Sequence, residues 1–352
     1  MKTRVCRLYA QGDIRIEEAE VAEPGPGQVL VAMGAGGICG SDLHYYQDGG
    51  FGPIRVREPI ILGHEVAGTV KAIGPGVEGI AVGDRMAVNP SRPCNSCRYC
   101  LEGLQQHCLS MRFFGSALRF PHEQGGFRDL MVVDAYQCVR IDNPDVTLAE
   151  VACAEPLAVC LHALNRAGAS AGNIAGKSVL VTGAGPIGAL TVAALRHAGA
   201  ASIVVTDLQD LPLEVARMMG ATETINVRTR PERLEAYNEG KGHFDIAFEC
   251  SAASPAVKSA VMATRPQGTV VAVGVAGDVP VPLNLVVGKE IAFVGTHRFT
   301  GEYAQAVRLI DQRRIDVRPI ISSTHDLDEA LAAFQVAGDR GRSIKVQLSF
   351  AS

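Results

Sequence analysis

Four cysteines, Cys94, Cys97, Cys100 and Cys108, fall close together in a chain of 352 residues. The first three are spaced C-x-x-C-x-x-C, and the fourth follows seven residues later. Thiolates at that spacing can converge on one tetrahedral ion. Soft sulfur ligands select zinc, with an iron–sulfur cluster or a metal-free loop as the other readings. A closed set of four thiolates leaves no coordination position for a reactant, so this site staples a lobe, placed at residues 90–112. Chemistry has to be sought elsewhere.

A second group of residues offers an open site. Cys39 stands in Gly37-Ile-Cys39-Gly-Ser41-Asp42-Leu-His44, and an imidazole adjoins a carboxylate in Gly63-His64-Glu65-Val-Ala-Gly68. A catalytic zinc takes about three protein ligands and keeps one position for water or substrate. Singly, each element has a plainer reading, as a buried turn cysteine or a surface His–Glu pair. Their occurrence together, ahead of a nucleotide-binding pattern, favours the metal. That pattern is Gly183-Ala-Gly185-Pro186-Ile187-Gly188, which follows the apolar run Val179–Thr182 and opens a helical stretch. In G-x-G-x-x-G the first glycine allows the tight turn, and the second lets the backbone approach a pyrophosphate. The third lets helix and strand pack, while the helix N-terminus faces the negative charge. Asp207, which ends the next apolar run, is placed to accept hydrogen bonds from the adenosine ribose and to repel a 2′-phosphate. No Arg or Lys follows between Leu208 and Leu213, so NAD is expected over NADP.

These groups need a scaffold, and the texture of the chain supplies one. Up to about residue 150 it reads as short strands between Gly and Pro turns (Val29–Met33, Val66–Ala72, Arg85–Val88, Leu130–Asp134), a β-rich, barrel-like unit. A helical stretch, Val151–Ala167, follows. From Lys177 apolar strands alternate with amphipathic helices, which predicts a parallel sheet covered on both faces. Past Gly295 a helix near Tyr303–Gln312 and a last strand, Ile344–Phe350, are expected. The formal net charge of −4 gives no reason to expect nucleic acid or an anionic membrane as partner. No apolar run approaches membrane-spanning length, and Met1–Gln11 lacks a signal-peptide core, so a cytoplasmic protein is expected. Of the six other cysteines, most sit among apolar neighbours and read as small buried hydrophobes; Cys39 is the exception.

Gly63-His64-Glu65-x-x-Gly68, with Gly74 beyond, together with Cys39, the four-cysteine cluster and Gly183-x-Gly185-x-x-Gly188, resembles the zinc-dependent medium-chain alcohol and polyol dehydrogenases over essentially the whole chain. The resemblance implies an α/β protein in which a GroES-like catalytic domain (1–152) is followed by a Rossmann domain (153–295) and a return to the catalytic domain (296–352). It implies two zinc ions and a nicotinamide cofactor. Cys39 and His64 would be direct ligands of the catalytic zinc, and Glu65 and Glu155 would bind it directly or through its water, the choice between them left open. Glu155 in Ala-Glu-Pro-Leu points to the polyol side of the family. Ser41 and His44 resemble the family's proton relay, and Arg298 its contact to substrate hydroxyls. Met111-Arg-Phe-Phe-Gly-Ser116 resembles the branch that oxidises sugar acids, and Arg112 is read evenly as a clamp or orienting residue for a substrate carboxylate or as a surface arginine. Tyr45 is placed at the substrate pocket, and Phe114 is read equally as a pocket residue or as core packing. The expected reaction is hydride transfer from a secondary hydroxyl of a sugar acid. A sorbitol- or xylitol-type polyol dehydrogenase, a threonine dehydrogenase and a non-catalytic nucleotide-binding protein are the alternatives. Late strands Val270–Val273 and Ile291–Val294, with an arm at Asp278–Val287, suggest a tendency to associate, which the resemblance implies gives a dimer or tetramer.

Overall fold

The computed structural model describes residues 1–275 and 277–350. One strand, Gln28–Gly37, is the axis of the β-rich half. Along one edge it pairs with Glu65–Ile73. Its other edge is shared: Leu130–Asp134 pairs with residues 28–32, and Lys345–Ser349 pairs with residues 35–37. Arg85–Val88 and Cys138–Arg140 extend this sheet on one side, and Ile321–Asp326 extends it on the other. A smaller antiparallel sheet joins Asp13–Glu20, Lys2–Ala10 and Ile60–Ile61. The C-terminal strand thus completes a sheet begun near the N-terminus, and the middle of the chain is inserted between them.

The insertion is a six-stranded, all-parallel sheet in the order Glu223–Asn226, Ser202–Asp207, Ser178–Thr182, Phe244–Glu249, Thr264–Ala272, Ala292–Gly295. Val179–Val181, Ile203–Val205 and Ile246–Phe248 are buried on both faces, as uninterrupted apolar runs must be when helices cover both sides. Strand order reverses between Ser178–Thr182 and Phe244–Glu249, and a doubly wound sheet binds ligands in the crevice at such a switch point.

Two local readings change. The helical stretch Val151–Ala167 is two helices, Leu148–Ala152 and Ala154–Ala171, which meet at Cys153. Pro156 sits in the first turn of the second helix, where its missing N–H has no intrahelical partner to lose. The segment read as an arm contains a short helix, Leu283–Gly288, with Leu283 and Val287 exposed. The late helix runs Glu302–Asp311. Among the described residues, no helix is long and apolar enough to cross a membrane.

Close backbone approach explains Gly68 of the zinc signature. A Cβ there would stand 2.2 Å from the Ala32 carbonyl oxygen of the paired strand, with no flexible side chain to yield. Gly68→Ala is expected to lower the free energy of unfolding by about 2 kcal/mol, measured by urea titration.

Candidate active site

Strand register builds the site. Gly37 lies opposite Glu65, so Cys39, just past one strand, and His64, just before its neighbour, emerge at the same end of the sheet. Ligand atoms of Cys39, His64 and Glu65 all lie within 4.8 Å of one another. Gly37 makes the room: a Cβ there would meet a Glu65 carboxylate oxygen at 2.1 Å. Cys39 also caps the helix Gly40–Asp48. On its first turn the buried Asp42 accepts hydrogen bonds from the backbone N–H of Cys39 (3.0 Å) and of Gly63 (3.3 Å). The same carboxylate stands 3.7 Å from His64 Nδ1. Asp42 therefore positions both ligand segments at once, as outer partners of metal-binding imidazoles do. Its place in Gly-Ser-Asp beside Cys39 was the available signal, and the sequence reading passed over it.

The sequence left Glu65 and Glu155 as rival ligands, and the structure sets them apart. Lys345 Nζ donates to both carboxylate oxygens of Glu65 (2.8 and 2.7 Å) and to the Ile38 carbonyl (3.1 Å). Both partners are buried. Burial alone would lower the lysine pKa, but Glu65 and Cys39 outweigh it and hold it raised. Glu155, in the first turn of Ala154–Ala171, has no such ion pair among the described residues. Burial pushes its carboxyl up to about 8; His64 opposes that shift, while Glu65 and Cys39 add to it. Cys39 is likewise raised to about 11, chiefly by burial. A thiol, an imidazole and two carboxyls gathered out of water around a single lysine are short of positive charge. That donor set fits a divalent cation with mixed soft and hard ligands, zinc above all.

The four-cysteine cluster is closed in space as in sequence, its sulfurs all within 4.8 Å of one another. Backbone N–H groups of Cys94, Cys97 and Ser110 point at sulfurs of the set, at 3.2 to 3.4 Å. The Ser96 amide leads the groups that draw Cys94 down to about 6, into the range where the metal-binding thiolate forms, while burial pushes Cys100 up to about 12.

Residues expected around the substrate separate into two groups. Ser41 and His44 lie one helical turn apart on Gly40–Asp48, and His44 Nδ1 is 2.8 Å from Asp48 Oδ2 at the exposed side. Tyr45 is buried, and its hydroxyl accepts from the Ala117 N–H at 3.2 Å. Arg298, half-buried and with φ at +52°, lays its guanidinium 4.2 Å from the Phe113 ring centre. Burial lowers its pKa, and Glu155 and Tyr45 oppose that through their charge. Arg298 forms no ion pair among the described residues.

Arg112 and Phe114 do not join them. Arg112 is more than half exposed and bound to Glu123 at 3.1 Å. It shares the two-residue strand Arg112–Phe113, whose side chains point to opposite faces. The inward one is Phe113, whose ring centre lies 5.4 Å from that of His64. Phe114 packs in the core with Tyr45, Leu62 and Phe127. The clamp assigned to Arg112 is thereby withdrawn, and Phe113 replaces Phe114 at the site.

The glycine-rich turn lies at the carboxyl end of Ser178–Thr182 and leads into the helix Pro186–His197. Gly188 has no room for a side chain, since a Cβ would be 1.9 Å from the Gly183 carbonyl oxygen. Pro186 and Ile187 form the first turn of that helix. Asp207 braces the turn: one oxygen accepts from the Ala184 N–H at 2.7 Å, and the other accepts from Leu208 and Gln209 at 2.7 and 3.0 Å.

Lys345→Met would strand a buried carboxylate. Its stability is expected to fall by about 3–5 kcal/mol, and Glu65→Gln in the same chain is expected to restore much of that, as measured by denaturant unfolding of the single and double variants.

Two family models match the chain, the alcohol dehydrogenase GroES-like domain over residues 25–143 and the zinc-binding dehydrogenase over residues 186–312. The chain is 38% identical to L-idonate 5-dehydrogenase (NAD(P)(+)) of Escherichia coli K12, covering 99% of each. It is 36% identical to sorbitol dehydrogenase of Gallus gallus, covering 97% of this chain and 94% of the other. The crystal structure of L-idonate 5-dehydrogenase from Escherichia coli matches with a TM-score of 0.94 and 37% identity over 99% of both chains. With both halves of the fold matched and relatives alike over their full length, the chain belongs to the zinc-dependent medium-chain dehydrogenases, oxidoreductases with a GroES-like domain joined to a Rossmann domain.

Proposed function

We propose that this dehydrogenase oxidises a secondary hydroxyl of a sugar acid, L-idonate first among candidates, with NAD as the preferred acceptor. The observation that carries the reading is the cluster of Cys39, His64 and Glu65, with the buried Glu155 close enough to feel their charge and that of the half-buried Arg298, which forms no ion pair among the described residues. The likeness to L-idonate 5-dehydrogenase over the full chain supports the choice of substrate. Zinc held by Cys39, His64 and Glu155 would act as a Lewis acid on the reacting hydroxyl, and the nicotinamide ring would take the hydride. We place a second zinc in the cage of Cys94, Cys97, Cys100 and Cys108.

The chain's own groups then have distinct tasks. Glu65, held by Lys345, contributes a fixed negative charge behind Cys39 rather than a ligand oxygen. Asp42 holds the His64 ring and the Cys39 backbone. Ser41 accepts the hydroxyl proton and His44, at the exposed end of the same helix face, delivers it to solvent with Asp48 as its partner. Arg298 pairs with the substrate carboxylate, its plane kept in place by Phe113. Tyr45 backs the pocket from the core side. Gly183, Gly185, Pro186, Ile187 and Gly188 receive the cofactor pyrophosphate. Asp207 takes the adenosine ribose, where its charge disfavours a 2′-phosphate. Leu283 and Val287, exposed shortly before the edge strand Ala292–Gly295, support self-association.

A polyol substrate of the sorbitol type is the second reading. The withdrawal of Arg112 from the site favours it, because a single guanidinium can serve hydroxyls as well as a carboxylate.

Reduction of NAD, followed by absorbance with L-idonate and sorbitol side by side, separates the two. A kcat/KM at least tenfold higher for L-idonate is expected, and Arg298→Ala should abolish that preference; a preference for sorbitol would overturn the sugar-acid assignment. Metal analysis should find two zinc ions per chain. Cys39→Ser should lose one ion together with activity, and Cys100→Ser should lose the other together with thermal stability. His44→Ala is expected to slow turnover about tenfold or more below neutral pH.

A further inference from the structure

One cation near the cofactor turn comes from a distant part of the chain. Arg340 sits on the turn Gly338–Ser343, between the helix Ala330–Gly338 and the strand Lys345–Ser349. Its Nη1 stands 3.3 Å from where a Cβ on Gly185 would be, directly over the second glycine of the dinucleotide motif. The guanidinium is exposed and makes no hydrogen bond or ion pair among the described residues, although most other arginines here are engaged. It faces an open cleft of about 670 Å³ lined by Gln47, Gln209, Asp339 and Gly341, among others. Gln209, two residues beyond Asp207, lines the same cleft.

The turn that carries Arg340 is held in place. Asp339 Oδ1 accepts from the Gly341 N–H at 3.0 Å, and the Ser343 hydroxyl donates to the Val336 carbonyl at 2.8 Å. On its other side Gly338 lies against Gln47, whose amide nitrogen would be 2.8 Å from a Cβ at that position. The tip is thus wedged between the helix that begins at Cys39 and the turn that receives the cofactor.

The glycine-rich turn has a use for such a group. The helix N-terminus offers backbone N–H donors to a pyrophosphate, but Pro186 at its first position has none to give. A planar guanidinium presents two parallel donors to a phosphate and carries the full charge that the helix end supplies only in part. Arg340 is placed to do this across the mouth of the cleft, opposite the helix end.

We infer that Arg340 is a binding residue for the cofactor's pyrophosphate, clasping it against the turn at Gly185 from the catalytic-domain side. This rests on the reading of the chain as a nicotinamide-dinucleotide enzyme. It assigns cofactor affinity to a residue far outside the Rossmann motif. The other phosphate that the cleft could bring to Arg340 is the 2′-phosphate of NADP, and the two have different signatures.

The test measures binding without turnover, on the zinc-loaded protein, by NADH fluorescence and by displacement of NADH with ADP-ribose, adenosine or NADPH. Arg340→Gln should weaken NADH, NADPH and ADP-ribose alike, by about tenfold or more, and leave adenosine unchanged. Arg340→Lys should recover part of the loss. Thermal melts of the free proteins should coincide, since the side chain is exposed and unpaired. Loss confined to NADPH would move Arg340 to the 2′-phosphate and overturn the inference, as would equal binding of every ligand by wild type and variant. If the wild-type protein bound neither NADH nor ADP-ribose, the cofactor reading itself would fail, a result distinct from a variant that binds as wild type does.

Discussion

The buried ion pair between Glu65 and Lys345 is the constraint on which the site depends. It joins residues 280 positions apart, at 2.7 Å, in surroundings where neither charge can stand alone. Satisfying it requires the strand Lys345–Ser349 to lie along the end of Gln28–Gly37, which joins the C-terminal strand to the sheet begun near the N-terminus. The pair also fixes the direction of the Glu65 carboxylate, and Gly37 is the position that gives that carboxylate space. With Glu65 paired to its lysine, Glu155 is the one of the two acids that forms no ion pair among the described residues.

The two metal-binding clusters differ in how they come together. Cys94, Cys97, Cys100 and Cys108 are local in sequence, and the amides of their own loop point at their sulfurs, so one lobe carries the whole site. Cys39, His64 and Glu65 come from two strand ends. They meet only after strand register is set, and Glu155 is added from the start of Ala154–Ala171. A local cage suits a staple, since it holds its shape whatever the neighbouring domain does. An assembled cluster draws on elements far apart in the chain, so it forms only together with the fold.

Domain and cofactor chemistry are joined through the segment that ends the chain. Helix Ala330–Gly338 packs on the β-rich core, the turn after it touches the glycine-rich turn through Arg340, and the strand after that brings Lys345 to Glu65. Within a few residues, the same stretch of backbone presents one cation to the cofactor turn and another to the metal site. On the Rossmann side Asp207 ties together the glycine-rich turn and the segment after its own strand, accepting from Ala184 with one oxygen and from Leu208 and Gln209 with the other.

Much of this was legible in the amino-acid order. The cysteine spacing, the glycine-rich turn after an apolar strand, the acid closing the next strand and the pairing of His64 with Glu65 are all local patterns whose chemistry does not depend on distant residues. The alternation of strands and helices likewise announces the parallel sheet, because its periodicity reflects burial on both faces. Arg112 and Phe114 were misplaced because side-chain direction in a strand alternates, and only the pairing of Arg112–Phe113 with Ser91–Arg92 decides which of the two faces His64. Asp42 had only its place beside Cys39 to mark it, and Lys345 and Arg340 carry no local signature at all: a lysine in a strand and an arginine in a turn are ordinary residues. Sequence by itself determined the kind of chemistry, through ligand types and turn residues at short spacing. Tertiary structure alone decided which carboxylate is paired, which aromatic ring faces the metal site and which cation covers the cofactor turn, because each depends on a contact whose partners lie far apart in the chain.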